Sequence, residues 1–370
     1  MKLYEFMGKQ IFARYGINIP AGRVAASSEE AADIAVELGE VVIKSQILSG
    51  GRGKAGGIKF ASSPGESKQY ADELLAGTLK GLKIEKILVE KKVRIDKELY
   101  LSITVDGTTR QPVLIASASG GIDIEDVSPE QIIKKYIDPQ VGILPHFCRE
   151  VSRRLGLTGE LSKQAVELIT KVYRIFRDYD CELVEINPLV ISGEQLVAAD
   201  AKINLDDEAQ FRYPAGTPIT EDRTALEKKA HDIGISYVEL EGDIAVMANG
   251  AGITMATLDI LEHFGGKARN FMDAGGGADT EATAQALEIL ISTKPKVILV
   301  NIFGGITRCD EVAKAFVKVK NSMGIPVPVV IRLSGTNEQE GIAIFKEIGF
   351  DSFDNIKDAA AKAVEIAKAS

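Results

Sequence analysis

The chain has 370 residues, with 44 Lys and Arg against 53 Asp and Glu, for a net charge of −9. That balance disfavours a general polyanion binder, so nucleic acid and anionic membrane surfaces are poor partners, although a local basic loop can still hold a nucleotide. The length suits more than one domain, and no apolar run approaches the ~20 residues of a membrane span. In chain order, residues 5–15 read as an amphipathic helix closed by Gly16, and 41–45 as a buried strand. Strands follow at 84–93, 99–105 and 112–118, the last entered through Asp106-Gly107, and then a long helix at 160–179. Residues 182–191 and 195–203 form a hairpin about Ser192-Gly193-Glu194, and an irregular stretch, 206–234, leads across to a second half.

From about residue 241 the grammar changes. Strands at 243–247, 268–272, 297–303, 327–333 and 350–353 alternate with helices at 252–264, 279–292, 310–320, 338–348 and 356–369. Five βα units in a row imply an open, doubly wound parallel sheet, whereas the first half is mixed and partly antiparallel. The expected domains are 1–240 and 241–370, with no internal repeat or low-complexity tract.

The clearest signal lies in this second half, where the apolar run 297–303 enters Gly304-Gly305 and then a helix. Thr307 and Asp310 have capping-box spacing, and glycines let a bound group approach the backbone. A helix N-terminus there would favour a phosphate or carboxylate. Three more polar, glycine-rich turns, at 249–252, 275–277 and 334–337, also follow strands, at the edge where such sheets bind ligands. Nothing nearby resembles a nucleophile. The reactive group is therefore expected from another chain. His146 in a loop, His231 on a helix and His263 in a last helical turn adjoin none of these turns. Cys148, Cys181 and Cys309 lack metal-ligand spacing, and so sparse a set, with no signal-peptide h-region in the first ten residues, predicts a cytoplasmic protein.

In the first half, Lys44 ends a strand and precedes Ser49-Gly50-Gly51-Arg52-Gly53-Lys54-Ala55-Gly56-Gly57. Such a loop can close over a polyphosphate with its N–H groups and cations, or simply be a solvated, mobile basic loop. It is not a Walker P-loop, because no Gly-Lys-Ser/Thr opens a helix. With the hairpin turn near Gly193, Asn187 falls opposite Asp200, with Cβ atoms ~5 Å apart, close enough to share Mg²⁺. Glu185, two residues away, faces the same way. The alternative is three solvated polar residues, against which the apolar Leu183, Val184, Ile186, Leu189 and Val190 argue. Glu90 and Glu98 could accept hydrogen bonds from an adenine amine or ribose hydroxyls, but by pattern alone they read as surface glutamates.

Four of these motifs together, 50–57, 185–189, 249–252 and 300–310, resemble the β-subunit family of succinyl-CoA synthetase (succinate–CoA ligase) from the first helix to the last. The resemblance implies an ATP-grasp N-terminal half followed by a flavodoxin-like, doubly wound CoA-ligase half. It implies the tricarboxylic acid cycle reaction succinate + CoA + ATP giving succinyl-CoA + ADP + phosphate. It also implies an α subunit, in an αβ or α₂β₂ assembly, that binds CoA and carries a transiently phosphorylated histidine. Carried over by position, Lys44, Gly51, Arg52 and Gly53 would hold nucleotide phosphates, with Glu90, Val93 and Glu98 as further nucleotide contacts. Asn187 and Asp200 would bind Mg²⁺, Glu185 would orient the histidine, and Asn249, Gly305, Ile306 and Thr307 would border the succinate and phosphate site.

Val93 stands where other members often have a small or hydroxyl residue, and Ser334 replaces a frequent glutamate. Pro20 leans towards adenine over guanine nucleotides. Malate–CoA ligase β chains and GTP-using forms share much of the pattern. Two rival classes are a non-catalytic nucleotide-binding scaffold subunit and an ATP-grasp ligase of the carboxylate–amine type, which would need neither the second half nor an α chain.

Overall fold

The computed structural model describes residues 1–220, 223–277 and 279–369. Two compact units divide the chain, Met1–Asp222 and Arg223–Ser370. In the first, α1 (Glu5–Arg14), β1 (Gly22–Ala25), α2 (Ser28–Leu38), β2 (Val41–Ser45), β3 (Ile58–Ala61) and α3 (Pro64–Leu75) come first. The short pair β4 (Thr78–Leu79) and β5 (Leu82–Lys83) precedes β6 (Ile87–Lys91), β7 (Lys97–Asp106), β8 (Gln111–Ser117) and β9 (Ile132–Tyr136). Then come α4 (Pro145–Arg154), α5 (Gly159–Asp178), β10 (Cys181–Ser192), β11 (Gln195–Ala198) and β12 (Lys202–Leu205).

These strands build a four-stranded sheet, β1-β6-β2-β3, and a six-stranded sheet, β11-β10-β7-β8-β9 with β12 also on β10. Ser27 and Ser63 cap α2 and α3 by accepting from the N–H groups of Glu30 and Glu66, and both helices bury a stripe over the first sheet. The 20-residue α5 lays Leu168, Ile169, Val172 and Phe176 against the second sheet. Burying such a side chain contributes about 1.5–3 kcal/mol, so this face anchors the second sheet.

The second unit comprises α6 (Ala225–Asp232), β13 (Ser236–Glu239), β14 (Ile244–Ala248), α7 (Ala251–His263), β15 (Asn270–Asp273), α8 (Thr280–Ser292) and β16 (Val297–Gly304). It continues with α9 (Cys309–Ser322), β17 (Val329–Gly335), α10 (Glu338–Glu347), β18 (Ser352–Phe353) and α11 (Ile356–Ala369). The strand order is β13-β15-β14-β16-β17-β18, parallel from β15 onward. Counting the parallel strands alone gives 2-1-3-4-5, the flavodoxin-like order. One face packs on α8, α9 and α10 through Leu287, Phe316 and Phe345, and the other on α7 and α11 through Leu261 and Ala363. Burial on both faces explains the apolar character of β16, whose one buried polar residue, Asn301, donates to Thr257 Oγ1 at 2.7 Å.

Several elements differ from the sequence reading. The division falls before residue 240, because β13 pairs antiparallel with β15 and so belongs to the second sheet. Part of the stretch read as irregular is α6, started by a capping box between Thr224 and Glu227; residues 221 and 222 of that stretch lie outside the described residues. The returning strand of the hairpin is broken into β11 and β12. His146 sits in the first turn of α4, not in a loop, since Pro145 supplies a preset helical φ at the start.

Candidate active site

A cavity of about 880 Å³ opens between the two sheets of the first unit. Its wall carries Lys44 from β2, Glu90 from β6, Glu98 and Tyr100 from β7, and Glu185 and Asn187 from β10. The glycine loop adds Gly51, Arg52 and Gly53, and Val93 and Asp200 come from the segments after β6 and β11. All ten first-unit residues singled out in the sequence therefore line one space. No histidine or cysteine does.

Asn187 and Asp200 are related by strand register. Leu189 pairs with Ala198 and Glu185 with Lys202, one register on both sides of a gap in the ladder, and carrying it across the gap sets Asn187 opposite Asp200. The Asn187 amide accepts from Gly121 N at 2.8 Å and donates to Ile122 O at 2.9 Å. Those bonds tie the 121–125 loop to the cavity mouth. Gly121 has φ +72°, a left-handed conformation that favours glycine, and a Cβ there would displace the Glu98 carboxylate, 2.3 Å away. Asp200 Oδ1 accepts from Arg52 Nη2 at 3.0 Å and from Ala201 N at 2.7 Å.

Behind that edge lies a buried ionic cluster. Glu5 Oε1 is 2.8 Å from both Lys9 Nζ and Lys44 Nζ, and Glu5 Oε2 is 2.8 Å from Arg52 Nη1. Glu90, expected as a surface glutamate by pattern, is only 2% exposed, and its oxygens engage Lys9 and Lys44. Ala199 O accepts from both ammonium groups, at 2.8 and 2.6 Å. Burial works against every charge here, and whether attraction overcomes it differs from group to group. Glu5 is nonetheless held well below the usual carboxylate range by Lys44, Lys9 and Arg52. Lys44 is held above the ordinary lysine value by Glu5, Glu90 and Asp200. Asp200 moves the other way, because burial and the like charge of Glu5 outweigh Arg52.

Glu185 occupies a different environment. Burial raises its pKa, and Lys202 and the Tyr100 hydroxyl oppose that rise. A carboxylate shifted upward in a cleft is suited to accept a hydrogen bond from a cationic or neutral imidazole.

In the second unit the four glycine-rich turns meet. Asn249, after β14, donates to Phe303 O and accepts from Phe303 N, both at 2.8 Å, joining the ends of β14 and β16. These strands are the first and third of the parallel order, where the crevice of such a sheet opens. Thr307 is 3% exposed, and its hydroxyl accepts from Gly277 N at 3.1 Å and Asn249 Nδ2 at 3.4 Å. Asp273 collects the N–H groups of Gly250 and Gly275. A Cβ on Gly335 would sit 2.1 Å from Gly304 O, so the fourth turn crosses the third at bare backbone distance. Gly305 and Ile306 are exposed, Ile306 at 83%.

The capping box expected at Thr307 and Asp310 does not form. Arg308 occupies the N-cap without a side-chain bond, and α9 begins at Cys309. Thr307 is already committed to the neighbouring turns, and Asp310 is taken by Lys314, Arg308 and Asn337.

Sequence reasoning passed over Glu5, Lys9 and Tyr100. Glu5 and Lys9 share the buried face of α1 with Gly8 and Phe12, and charges on the apolar stripe of a helix are the signal that could have found them. Tyr100 offered none, because an alternating strand buries aromatics routinely.

Comparison with known proteins now gives the family. The family model described as ATP-grasp domain matches residues 2–191, and that described as CoA-ligase matches 247–367. The chain is 44% identical to the succinate–CoA ligase [ADP-forming] β subunit of Methanothermobacter thermautotrophicus, across 100% of both chains. It is also 44% identical to the protein of the same name in Staphylothermus marinus, over 100% of this chain and 99% of that one. The chain belongs to the succinate–CoA ligase β-subunit family. Its fold is that of an ATP-grasp domain followed by a CoA-ligase domain. Among solved structures, ATP citrate lyase from Methanothrix soehngenii in complex with citrate and coenzyme A superposes with a TM-score of 0.76, at 20% identity over 98% of this chain and 99% of that one. That likeness is one of fold.

Proposed function

We propose that this chain is the β subunit of an ADP-forming succinate–CoA ligase, working with an α subunit that binds CoA and supplies the phosphorylated histidine. The observation that carries this reading is the first-unit cavity, which gathers Lys44 and Arg52 among its cations, the oxygens of Asn187 and Asp200 and, in Glu185, a carboxylate of raised pKa, with no histidine or cysteine among the described residues that line it. In the ligase direction the γ-phosphoryl of ATP passes to the partner's imidazole and ADP remains. Phosphohistidine then phosphorylates succinate, and attack by the CoA thiol on the acyl phosphate releases phosphate and succinyl-CoA.

Lys44 and Arg52, with the N–H groups of Gly51 and Gly53, hold the polyphosphate. Such transfer depends on positioning and charge stabilisation. The base and ribose lie toward Val93 and Glu98. Glu90 reaches a nucleotide only by releasing Lys44, so its main part is as seat for that ammonium. The oxygens of Asn187 and Asp200 suit Mg²⁺, which takes one or two protein groups and completes its shell with phosphate oxygens and water. Bound there, the ion would offset phosphate charge. Glu185 accepts from the incoming imidazole and fixes its tautomer.

In the second unit, Asn249 and Thr307 brace the turns so that the backbone of Gly305 and Ile306 faces the succinate and phosphate. A free, reducing compartment, the cytoplasm, suits three buried thiols. The test is a coupled assay of the reconstituted pair against several dicarboxylic acids with ATP and GTP. Thioester formation from succinate and ATP is expected only with both chains present. Activity of this chain alone, or none with any acid, would overturn the reading.

A further inference from the structure

Lys9 is 3% exposed and stands behind the cavity wall rather than in it. Its ammonium nonetheless meets Glu5 Oε1 at 2.8 Å, Glu90 at 2.6 and 2.7 Å, and Ala199 O at 2.8 Å. In front of it the wall sets Lys44 and Arg52 against Glu5, Glu90 and Asp200, two positive charges against three negative. Counting Lys9 makes the cluster three against three.

A buried ammonium is costly to desolvate, and burial pulls this one's pKa down while Glu5, Glu90 and Asp200 oppose the change. An apolar residue at this helix position would avoid that cost. We propose that Lys9 is a positioning residue for nucleotide binding, neutralising Glu5 and Glu90 from behind so that Lys44 and Arg52 turn their charge to an incoming polyphosphate. This rests on the nucleotide-binding reading of the cavity. Without Lys9, the two carboxylates would hold Lys44 and Arg52 more tightly and leave these two cations with less charge to offer a phosphate.

The experiment is calorimetric titration of the full-length chain with MgADP. Lys9→Met should weaken binding about tenfold, the scale of one unit charge acting across a partly wet wall. Adding Glu90→Gln removes the surplus charge and should recover most of the affinity. A merely structural lysine would not be rescued by removing a second, opposite charge.

If the unaltered chain bound no MgADP, the nucleotide reading itself would fail. Unchanged binding in Lys9→Met, or a loss that Glu90→Gln does not recover, would overturn the role of Lys9. Should Lys9→Met fail to fold, the double variant decides: near-normal affinity supports the charge balance, and a tenfold deficit or loss of fold in both overturns it.

Discussion

The Tyr100 hydroxyl donates to Glu185 Oε2 at 2.9 Å, linking β7 to β10 at the cavity wall. Burial pushes the Glu185 pKa up, and this bond is one of two interactions that restrain the rise. The form able to accept from an imidazole is the ionised one, which is lost as the pH falls through the raised value. Tyr100→Phe removes a donor to the carboxylate, so the acid limb of partner phosphorylation should move to higher pH. A hydrogen bond to a charged group is worth ~1.5–3 kcal/mol, which corresponds to a shift of about one to two pH units. Phosphorylation rates of the αβ pair across pH check it; an unmoved acid limb would remove Tyr100 from the argument.

Glu185→Gln keeps the shape of the side chain and removes its charge. Nucleotide-driven phosphorylation of the α chain should fall by about a hundredfold or more, the scale of a general acid–base contribution. Asp200→Asn should do likewise by weakening both the Mg²⁺ site and the ion pair with Arg52. Both variants should still assemble with the partner, which size-exclusion chromatography reads directly. Phosphorylation by ATP at the normal rate would dismiss these assignments.

Thr307 joins three turns through one buried hydroxyl. In Thr307→Val the Gly277 N–H loses its acceptor at unchanged side-chain volume, while the Asn249 amide keeps only Phe303 O. Leaving such a donor unpaired costs about 1–3 kcal/mol, so the denaturant midpoint of the second unit should drop. Thr307→Ser should retain most of the stability. Equal midpoints for the Val and Ser variants would mean the hydroxyl is not holding the turns.

Asp310 is held well below the usual carboxylate range, chiefly by Lys314, against the effect of burial and with help from Arg308 and Asn337. The sign follows from linkage. A depressed folded pKa gives stability that is fully present above the unfolded value of about 3.9 and is lost as the pH falls toward the folded one. Asp310→Asn should therefore be less stable than the unaltered chain at neutral pH, with the gap closing as the solution is acidified below about 4. Urea midpoints at several pH values test this, and a gap that persists in acid would point to packing instead.

Periodicity was a good guide wherever one repeat dominated. The alternation after β14 was legible because each strand is buried on two faces and each helix shows one apolar stripe, with no competing pattern. The register of β10 followed from a two-residue turn at Gly193, which is why Asn187 and Asp200 could be set opposite each other in advance. Breaks in regularity were not legible. The gap between β11 and β12 frees Ala199 O to accept from two lysines, and no local propensity encodes that need. The start of α9 likewise depended on turns distant in sequence that had already claimed Thr307.

By itself, the amino-acid order determined the two kinds of sheet and the glycine-rich turns at the carboxyl ends of the parallel strands, since these follow from local spacing and residue type. Only the tertiary structure decided that Glu5, Lys9 and Glu90 are interior charges rather than surface ones, and that Glu185 and Asp200 resist ionisation. Charge energetics depend on burial and on partners brought together from α1, β2, β6 and β10, and those distances exist only once the chain has folded.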